Sequence, residues 1–347
     1  MSNTNENVSH NNKHSRKRTW RKIRIAVFSV LFSAIFLMTS ALVGATVFYN
    51  FYLGKIGEAG DGHSIAGASG FDEGNIDTYS GLSDSVKNIA VFGVDSRDDN
   101  DEGSRSDAMM IVSFDMKHNK VKAVSIMRDS LVSIPGYKNR SKINSAYAKG
   151  GVELAINTLN MNFKMNITDY IVLNFNQMAT IVDAVDGIEV EITEAERKNA
   201  NKYIGEMAAE NNTTPKLIKK SGKVTLYGYQ AVAYARIRAV GNADFQRTER
   251  QREVMEKIMN KALSMGVMEY PELINALLTM MKTSLSGDEI TTMMWHVVNN
   301  GKPAFEQGRF PIDGTFKTNE YYAMEYDMDE AAEKLHSFIY DDVPFYE

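Results

Sequence analysis

Five arginines lie within seventeen residues of this 347-residue chain, in the segment RIRAVGNADFQRTERQR at positions 236–252. Arginine guanidinium groups bind phosphate oxygens in pairs and stay charged when they are removed from water. Arg236 and Arg238 are two positions apart, so in an extended segment both side chains would point to one side, with Ile237 opposite. The segment therefore indicates a site for phosphate or pyrophosphate.

The later arginines open a predicted helix, Phe245–Met265. Its apolar positions follow the spacing of an amphipathic helix and comprise Val254, Met255, Ile258, Met259 and Ala262. Four-residue steps back along this face lead to Gln251, Arg247 and Arg250. The face that should be buried thus becomes polar and basic in the first two turns, where a helix attracts anions. Asp244 is the predicted N-cap of this helix.

Two other interpretations of this helix stay open at this point. A solvated basic helix, with ion pairs to nearby glutamates such as Glu249 and Glu253, explains Arg252. It does not explain why Arg247 and Gln251 continue the apolar face. A basic helix also suits nucleic acid, but the chain as a whole carries a net charge of −5 and is no obvious nucleic-acid binder.

Two aspartates are predicted to meet at one edge of a sheet. Asp95 follows the apolar run Asn88–Val94, and Asp107 opens the next run, Asp107–Phe114. If the two runs are antiparallel neighbouring strands, both carboxylates lie at the same edge. Together with phosphate oxygens of a substrate, two carboxylates suit Mg²⁺, which prefers oxygen ligands. The alternative is that both acids cap turns or face solvent.

Predicted strands alternate with predicted helices over the rest of the chain, which indicates an α/β fold with a mixed central sheet. The run Val121–Met127 forms a predicted hairpin with the second strand and ends at the charged pair Arg128-Asp129. No break in composition divides residues 85–347, so this segment is expected to be one domain. Further predicted elements are helices at 145–160, 177–185 and 329–339, a strand at 188–192, and a peripheral, largely helical insertion at 193–220.

The amino-terminal residues predict a membrane anchor. Residues 1–24 form a polar tail that ends in a basic run, and no charged residue follows within 25–54. About 20 apolar residues suffice for a helix to cross a bilayer, and a basic flank stays in the cytoplasm. The Gly-, Ser- and Asp-rich residues 55–84 are expected to be a flexible linker, and the domain at 85–347 to lie outside the cell. A cleaved signal peptide is the alternative.

The composition excludes several other chemistries. The chain has no cysteine, and therefore no disulfide framework, thiolate zinc site or cysteine nucleophile. It also lacks an H-E-x-x-H zinc motif, a phosphate loop ending in GKS or GKT, and a G-x-S-x-G nucleophile elbow. The aspartates and arginines are thus the residues on which chemistry would depend.

Taken in order, several segments resemble the LytR-CpsA-Psr family of cell-wall assembly proteins. These segments are NIAVFGVDSR, RSDAMMIVSFD, VSIMRDSLVSIPG, KINSAYAKGG, IVDAVDGIEVEI, LYGYQAVAYARIR and DFQRTERQREV, between residues 88 and 254. The chain departs from the family pattern at Met127, where the family usually has proline before Arg128-Asp129. It departs again at Asp186-Gly187, where the family usually has two glycines.

The resemblance implies an α/β/α sandwich with an apolar groove for a polyprenyl tail and a pyrophosphate site at its mouth. It implies that Asp95 and Asp107 bind Mg²⁺. It implies that the pyrophosphate is held by Arg97, Arg105, Arg128, Arg236, Arg238 and Arg247, with Gln251 in support. The catalytic candidates are Asp95, Arg105, Arg128 and Asp244.

The function that the resemblance implies is phosphoryl transfer in cell-wall assembly. A glycopolymer phosphate would move from a polyprenyl (undecaprenyl) pyrophosphate carrier to the C6 hydroxyl of N-acetylmuramic acid in peptidoglycan. The expected location is the cell membrane of a Gram-positive-type bacterium, with a single pass, a cytoplasmic N-terminus and contact with membrane lipid. Three alternatives are a non-catalytic polyprenyl-phosphate-binding regulator, a polyprenyl-pyrophosphate hydrolase and a DNA-binding regulator. The expected extracellular location of the domain argues against nucleic acid as a partner.

Overall fold

A six-stranded mixed β-sheet runs through the centre of the domain. The structure is a computed structural model and describes residues 72–94, 104–210, 212–240, 243–265 and 282–346. In spatial order the strands are β10 (Ala304–Phe310), β3 (Lys120–Ile126), β2 (Ser106–Asp115), β1 (Val86–Val94), β6 (Asp169–Leu173) and β9 (Lys282–Thr283). The pairs β10–β3 and β1–β6 are parallel, and the other neighbouring pairs are antiparallel. The predicted α/β fold with a mixed central sheet is confirmed.

Helices cover both faces of this sheet. The helices of the described residues are α1 (Asn144–Phe163), α2 (Phe175–Ala184), α3 (Glu194–Glu210), α4 (Gly228–Ala235), α5 (Ala243–Ala262), α6 (Gly287–Asn300) and α7 (Met328–Tyr340). Side chains alternate across the strands, so Val91 and Met110 face one core together with Val254 of α5. Phe92 and Ile111 face the opposite core, which α1 and α7 complete. Burial on both faces explains why these strands are continuous apolar runs.

Three two-stranded antiparallel sheets complete the domain. They are β4 (Leu131–Val132) with β5 (Ser141–Lys142), β7 (Ile188–Ile192) with β8 (Gly222–Leu226), and β11 (Lys317–Thr318) with β12 (Met324–Glu325). The segment 193–220 is not the peripheral insertion that its polar composition predicts. Ile204, Met207 and Ile218 are buried in the same core as α5, because the few apolar residues of α3 and the loop after it share one side.

The amino-terminal predictions lie mostly outside the described residues. This is true of the tail at 1–24, the anchor at 25–54 and most of the linker at 55–84. Within the described part of the chain, no helix combines the length and apolar character needed to span a bilayer. The last linker residues are fixed against α1, because the backbone N–H of Asp72 donates to Glu153 at 2.8 Å and that of Asp77 to Asn157 at 2.8 Å.

Candidate active site

A β-bulge places Asp107 at the end of the central sheet. Gly93 pairs with Ala108, but the next pair is Val94 with Ser106, so Asp107 is an extra residue on strand β2. A bulge of this kind bends the strand and changes the direction of the side chain that it carries. The antiparallel pairing of β1 and β2 is the arrangement that the sequence requires for Asp95 and Asp107 to converge. Asp95 itself lies outside the described residues.

Arg128 reaches the bulged aspartate from the neighbouring strand. It follows the end of β3, and its Nη1 donates a hydrogen bond to Oδ1 of Asp107 at 2.5 Å. Its Nε lies 3.5 Å from Oδ2 of Asp129, the next residue in the chain. The backbone carbonyl of Arg128 accepts from the N–H of Asn144 at 3.2 Å, at the start of α1. Both ends of this residue are therefore held by neighbouring elements.

Lys142, which no local pattern in the sequence singles out, extends this network. Leu131 of β4 pairs with Lys142 of β5, and this hairpin brings Nζ of Lys142 within 2.6 Å of Oδ1 of Asp129. Lys142 thus balances the carboxylate that lies beside Arg128. Lys142 belongs to the segment KINSAYAKGG that carries the family resemblance. The resemblance was the only sequence signal for it, since its contact depends on the pairing of two-residue strands.

Helix α5 delivers a second arginine to the same carboxylate. Nη2 of Arg247 lies 3.4 Å from Oδ1 of Asp107, and only 2% of the Arg247 residue is exposed. Gln251, one turn further along α5, is also buried. Its Oε1 accepts no hydrogen bond from the described residues. Both side chains point inward, as their position on the apolar face of the helix indicates.

The other arginines of α5 fix the helix in place. Arg250 is buried, and its Nε donates to Glu196 at 2.9 Å. It also donates to the backbone carbonyls of Ile237 and Val240, at 3.2 and 3.3 Å, and so holds the chain that enters α5. Arg252 pairs with Glu249 at 2.6 Å, in agreement with the solvated interpretation of that residue.

Glu249 also joins α5 to the edge of the sheet. Its Oε1 accepts from Nη1 of Arg309 on β10 at 2.9 Å. This ion pair lies in a polar cleft of about 830 Å³. Because five carboxylates and three arginines line the cleft, it is a surface of paired charges and contrasts with the arginine-rich inner side of α5.

Arg236 and Arg238 do not lie on one side of an extended segment, and this prediction is wrong. Arg236 has helical backbone angles and ends α4, because its N–H donates to the carbonyls of Val232 and Ala233. Its guanidinium lies over the rings of Phe175, at 5.0 Å, and Tyr203, at 5.5 Å. Arg238 is exposed. Neither belongs to the contact network of Asp107 in the described residues.

The remaining predicted site residues are placed as follows. Arg105 precedes β2 and is exposed. Asp244 lies in the first turn of α5, which begins two residues earlier than an N-cap role for Asp244 requires, and its side chain is outside the described residues. Arg97, like Asp95, falls in the undescribed segment 95–103. Of the predicted set, the structure therefore brings together Asp107, Arg128 and Arg247, and Gln251 is buried one turn after Arg247 on α5.

The arrangement suits a phosphate and a divalent cation. Arg128 and Arg247 contact the same oxygen of Asp107, so their guanidinium groups lie close enough together to hold one pyrophosphate group. Both arginine contacts are made to Oδ1 of Asp107. The carboxylate of Asp107 and the buried amide oxygen of Gln251 are hard oxygen donors, the kind of ligand that Mg²⁺ prefers. The site residues therefore fit the metal that the family resemblance implies.

A second group of potential metal ligands in the described residues is neutralised by lysines. Asp115, His118 and Asp342 bring three ligand atoms within 4.8 Å of one another. The fully buried Lys122 lies 3.4 Å from Asp115 and 3.0 Å from Asp342, and Lys120 contacts Asp342 at 2.7 Å. The hydrogen bond from Lys120 and, to a smaller extent, the contact with Lys122 lower the pKa of Asp342 to about 2. This cluster joins the end of α7 to β3.

Comparison with known proteins identifies the family of the chain. The LytR_cpsA_psr family model matches residues 62–337. A polyisoprenyl-teichoic acid–peptidoglycan teichoic acid transferase, TagU of Enterococcus faecalis (strain ATCC 700802 / V583), is 34% identical over 205 residues, which are 58% of this chain. The match spans 62% of the length of that relative.

Solved structures show the same fold. TagV of B. subtilis superposes with a TM-score of 0.57 at 20% identity, over 74% of this chain and 98% of TagV. A LytR-CPS2A-psr family protein, YwtF (TagT), solved with bound octaprenyl pyrophosphate lipid, superposes with a TM-score of 0.51 at 22% identity, over 78% of this chain and 94% of that protein. Because the family model matches most of the length of this chain, the chain belongs to the LytR-CpsA-Psr family.

Proposed function

We propose that this protein is a phosphotransferase that moves a glycopolymer phosphate from a polyprenyl pyrophosphate carrier to a hydroxyl of peptidoglycan. The observation that carries the proposal is the convergence of Arg128 and Arg247 on Oδ1 of Asp107, at the end of the central sheet. Transfer of a phosphoryl group needs little covalent chemistry from the protein. It needs the reactants to be positioned and the negative charge of the transition state to be stabilised.

The two arginines would provide that stabilisation. Arg247 is buried and Arg128 is largely so, and in such surroundings a charged hydrogen bond to phosphate is stronger than in water. Asp129 lies 3.5 Å from Nε of Arg128 and would orient it, and Lys142 holds Asp129 through a contact of 2.6 Å. Arg236 and Arg238, on the segment that Arg250 holds, would contact the glycan-side phosphate or the sugar rather than Asp107.

A magnesium ion would be held by Asp107, with Asp95 as the second carboxylate. When bound, Mg²⁺ would neutralise charge on the phosphate oxygens. Asp107 and the arginines would orient the pyrophosphate so that the bond to the polyprenyl phosphate lies opposite the attacking hydroxyl. The proton of that hydroxyl would pass to a nearby carboxylate, for which Asp95 is the candidate.

The polyprenyl chain would lie on the side of the sheet that α5 covers. Several apolar side chains there are only partly covered by the rest of the protein, although they contact the core. They come from the sheet, from α5 and its end, and from α6, and comprise Val112, Met255, Met265, Ile290, Met293 and Phe305. A lipid tail placed among them would remove this apolar surface from water.

The proposed location is the outer side of the cell membrane. Support for it comes from the uncharged residues 25–54, which follow a basic tail and are long enough to span a bilayer. The linker at 55–84 would place the domain close to the membrane, where a polyprenyl carrier and membrane lipid are found. Protease added outside intact cells is expected to digest residues 56–347 and spare the tail.

The test is transfer by the full-length protein in detergent micelles. A labelled polyprenyl-pyrophosphate-linked glycan and peptidoglycan oligomers are supplied, with Mg²⁺ or with EDTA. A teichoic acid precursor is the first donor to use, given the name of the TagU relative. We expect label on peptidoglycan only with Mg²⁺. Release of free glycan phosphate would identify a hydrolase instead, and bound lipid without turnover would identify a binding protein.

A further inference from the structure

Two neighbouring tyrosines form an exposed aromatic patch at the tip of the β11–β12 hairpin. Tyr321 is 73% exposed and Tyr322 is 78% exposed, the highest values among the large apolar side chains of the described residues. Single exposed apolar residues are normal on protein surfaces. Two consecutive tyrosines that contribute little to any core more often mark a binding surface.

The turn that carries these tyrosines is held by hydrogen bonds. The side-chain Oδ1 of Asn319 accepts from the N–H groups of Tyr321 at 3.0 Å and Ala323 at 2.9 Å. The backbone carbonyl of Asn319 accepts from the N–H of Tyr322 at 3.0 Å. Tyr322 has a φ of 58°, in the left-handed region that residues other than glycine rarely adopt. Such a conformation persists only where the surroundings determine it, and it is enriched at functional sites.

The hairpin is attached directly to the candidate active site. The N–H of Met324 donates to the backbone carbonyl of Asp129 at 2.8 Å, beside Arg128. The hydroxyl of Tyr326 donates to Ser130 Oγ at 3.1 Å. Arg140 pairs with Glu325 at 2.9 Å. The tip therefore has a defined position relative to the residues that would hold the pyrophosphate.

The hairpin and α5 lie on opposite sides of that site. Phe316 and Tyr326, which flank the hairpin, pack against the core of α1 and α7, whereas Val254 of α5 belongs to the other core. In phosphoryl transfer the attacking and leaving oxygens are roughly in line on opposite sides of the phosphorus. Since the polyprenyl phosphate would leave on the α5 side, the attacking hydroxyl would arrive from the hairpin side.

We infer that Tyr321 and Tyr322 form a stacking platform for sugar rings of the peptidoglycan acceptor strand. This inference rests on the proposed function. The C–H bonds on one face of a pyranose ring carry partial positive charge, and they pack against the negative face of an aromatic ring. The hairpin suits a largely uncharged glycan, because Lys317 and Glu320 offset each other and Glu325 is paired with Arg140.

The experiment compares four full-length proteins in detergent. They are the wild type, Tyr321→Ala/Tyr322→Ala, Tyr321→Trp/Tyr322→Trp, and the control Tyr79→Ala. Tyr79 is also exposed. Its N–H donates to the carbonyl of Met165, which follows the end of α1, whereas Arg128 contacts the start of that helix. Each protein is tested for co-sedimentation with purified peptidoglycan sacculi, for binding of polyprenyl pyrophosphate, and for the KM of the acceptor and of the donor.

We expect the double alanine variant to lose about tenfold in affinity for sacculi and to show about a tenfold higher acceptor KM, since two stacking contacts are removed. Its binding of polyprenyl pyrophosphate and its kcat should stay within about twofold of the wild type. The tryptophan variant and Tyr79→Ala should bind sacculi like the wild type.

Three outcomes overturn the inference. The first is unchanged binding of sacculi and unchanged acceptor KM in the double alanine variant. The second is a rise in the donor KM with no change for the acceptor, which would assign the platform to the donor glycan. The third is loss of sacculi binding in Tyr79→Ala as well. If the wild type binds sacculi through these tyrosines but transfers nothing, the proposed function fails while the platform stands.

Discussion

Arg128 and Arg247 contact the same carboxylate oxygen, although they lie far apart in the sequence. Nη1 of Arg128 is 2.5 Å from Oδ1 of Asp107, and Nη2 of Arg247 is 3.4 Å from the same atom. One arginine is delivered by the end of a strand and the other by the first turns of a helix. The aspartate between them keeps two like charges together, and so preserves a positively charged position that a pyrophosphate can occupy.

Removal of Arg247 is expected to abolish most of the transfer. Arg247→Met keeps the apolar stem of the side chain in the core but removes the guanidinium from Asp107. We expect kcat to fall by about 10²- to 10³-fold, the usual effect of losing one charged donor to a transition state. Arg252→Met, on the outer side of the same helix, is the matched control and should retain activity within about threefold. Equal activity in both variants would remove Arg247 from the site.

Asp107 is expected to set the requirement for magnesium. Asp107→Asn keeps the size of the side chain but removes the charge that attracts the cation. The Mg²⁺ concentration for half-maximal transfer should rise by more than about tenfold. Asp313→Asn is the control, because Asp313 is an exposed carboxylate that pairs with Arg309 at 2.5 Å. A Mg²⁺ titration that gives one midpoint for all three proteins would show that Asp107 is not a metal ligand.

The pairing of β1 with β2 beside the bulge is expected to depend on Gly93. A Cβ at this position would lie 2.9 Å from Cβ of Ala108, closer than such atoms approach. Gly93→Ala should therefore lower the free energy of unfolding in urea by about 1–3 kcal/mol and reduce transfer, since Asp107 is displaced. Adding Ala108→Gly removes the obstructing methyl group and should restore both properties.

The control for this pair is Gly205→Ala in α3, where a new Cβ meets no atom within 4 Å. That variant should be as stable as the wild type or slightly more stable, because alanine favours a helix. If the double variant is no more stable than Gly93→Ala, the effect does not come from the contact between residues 93 and 108.

Stability in acid is expected to depend on Asp342. Its contacts with Lys120 and Lys122 lower its pKa to about 2, from a usual value of 3.8. A carboxylate whose pKa is lowered by folding stabilises the fold at any pH above its pKa in the unfolded chain. This contribution is lost as the pH falls from about 4 towards 2. Asp342→Asn should lower the Tm at pH 7, where Lys122 is left with Asp115, and should show a weaker fall in Tm between pH 4 and pH 2.

Asp341→Asn is the neighbouring control for this measurement. Asp341 is exposed at the end of α7 and makes neither of the lysine contacts of Asp342. Its Tm should follow that of the wild type at each pH. A Tm of Asp342→Asn that equals the wild-type value at pH 7 would show that the buried Lys122 does not depend on this partner.

Much of the fold could be predicted because strands and helices impose local patterns. Apolar runs identify β1, β2 and β3, and the 3.6-residue period identifies the inward side of α5, including Arg247 and Gln251. The helical position of Arg236 is not predictable from the sequence, because a helix end depends on hydrogen bonds to carbonyls three and four residues earlier, which no period in the sequence reveals. The bulge at Asp107 and the contact of Lys142 depend on partner strands, so local patterns do not encode them.

The parallel pairing of β10 with β3 has a consequence for folding. Ala304 pairs with Lys120, and Phe310 pairs with Ile126, so β10 joins the sheet only when nearly the whole chain is available. Pairings between distant segments form slowly, because a long loop must close before any contact compensates for the lost entropy. Until then β3 is an edge strand with unsatisfied backbone groups, which invites pairing with other chains. A chain that ends before residue 304 should therefore aggregate rather than form a smaller, inactive domain.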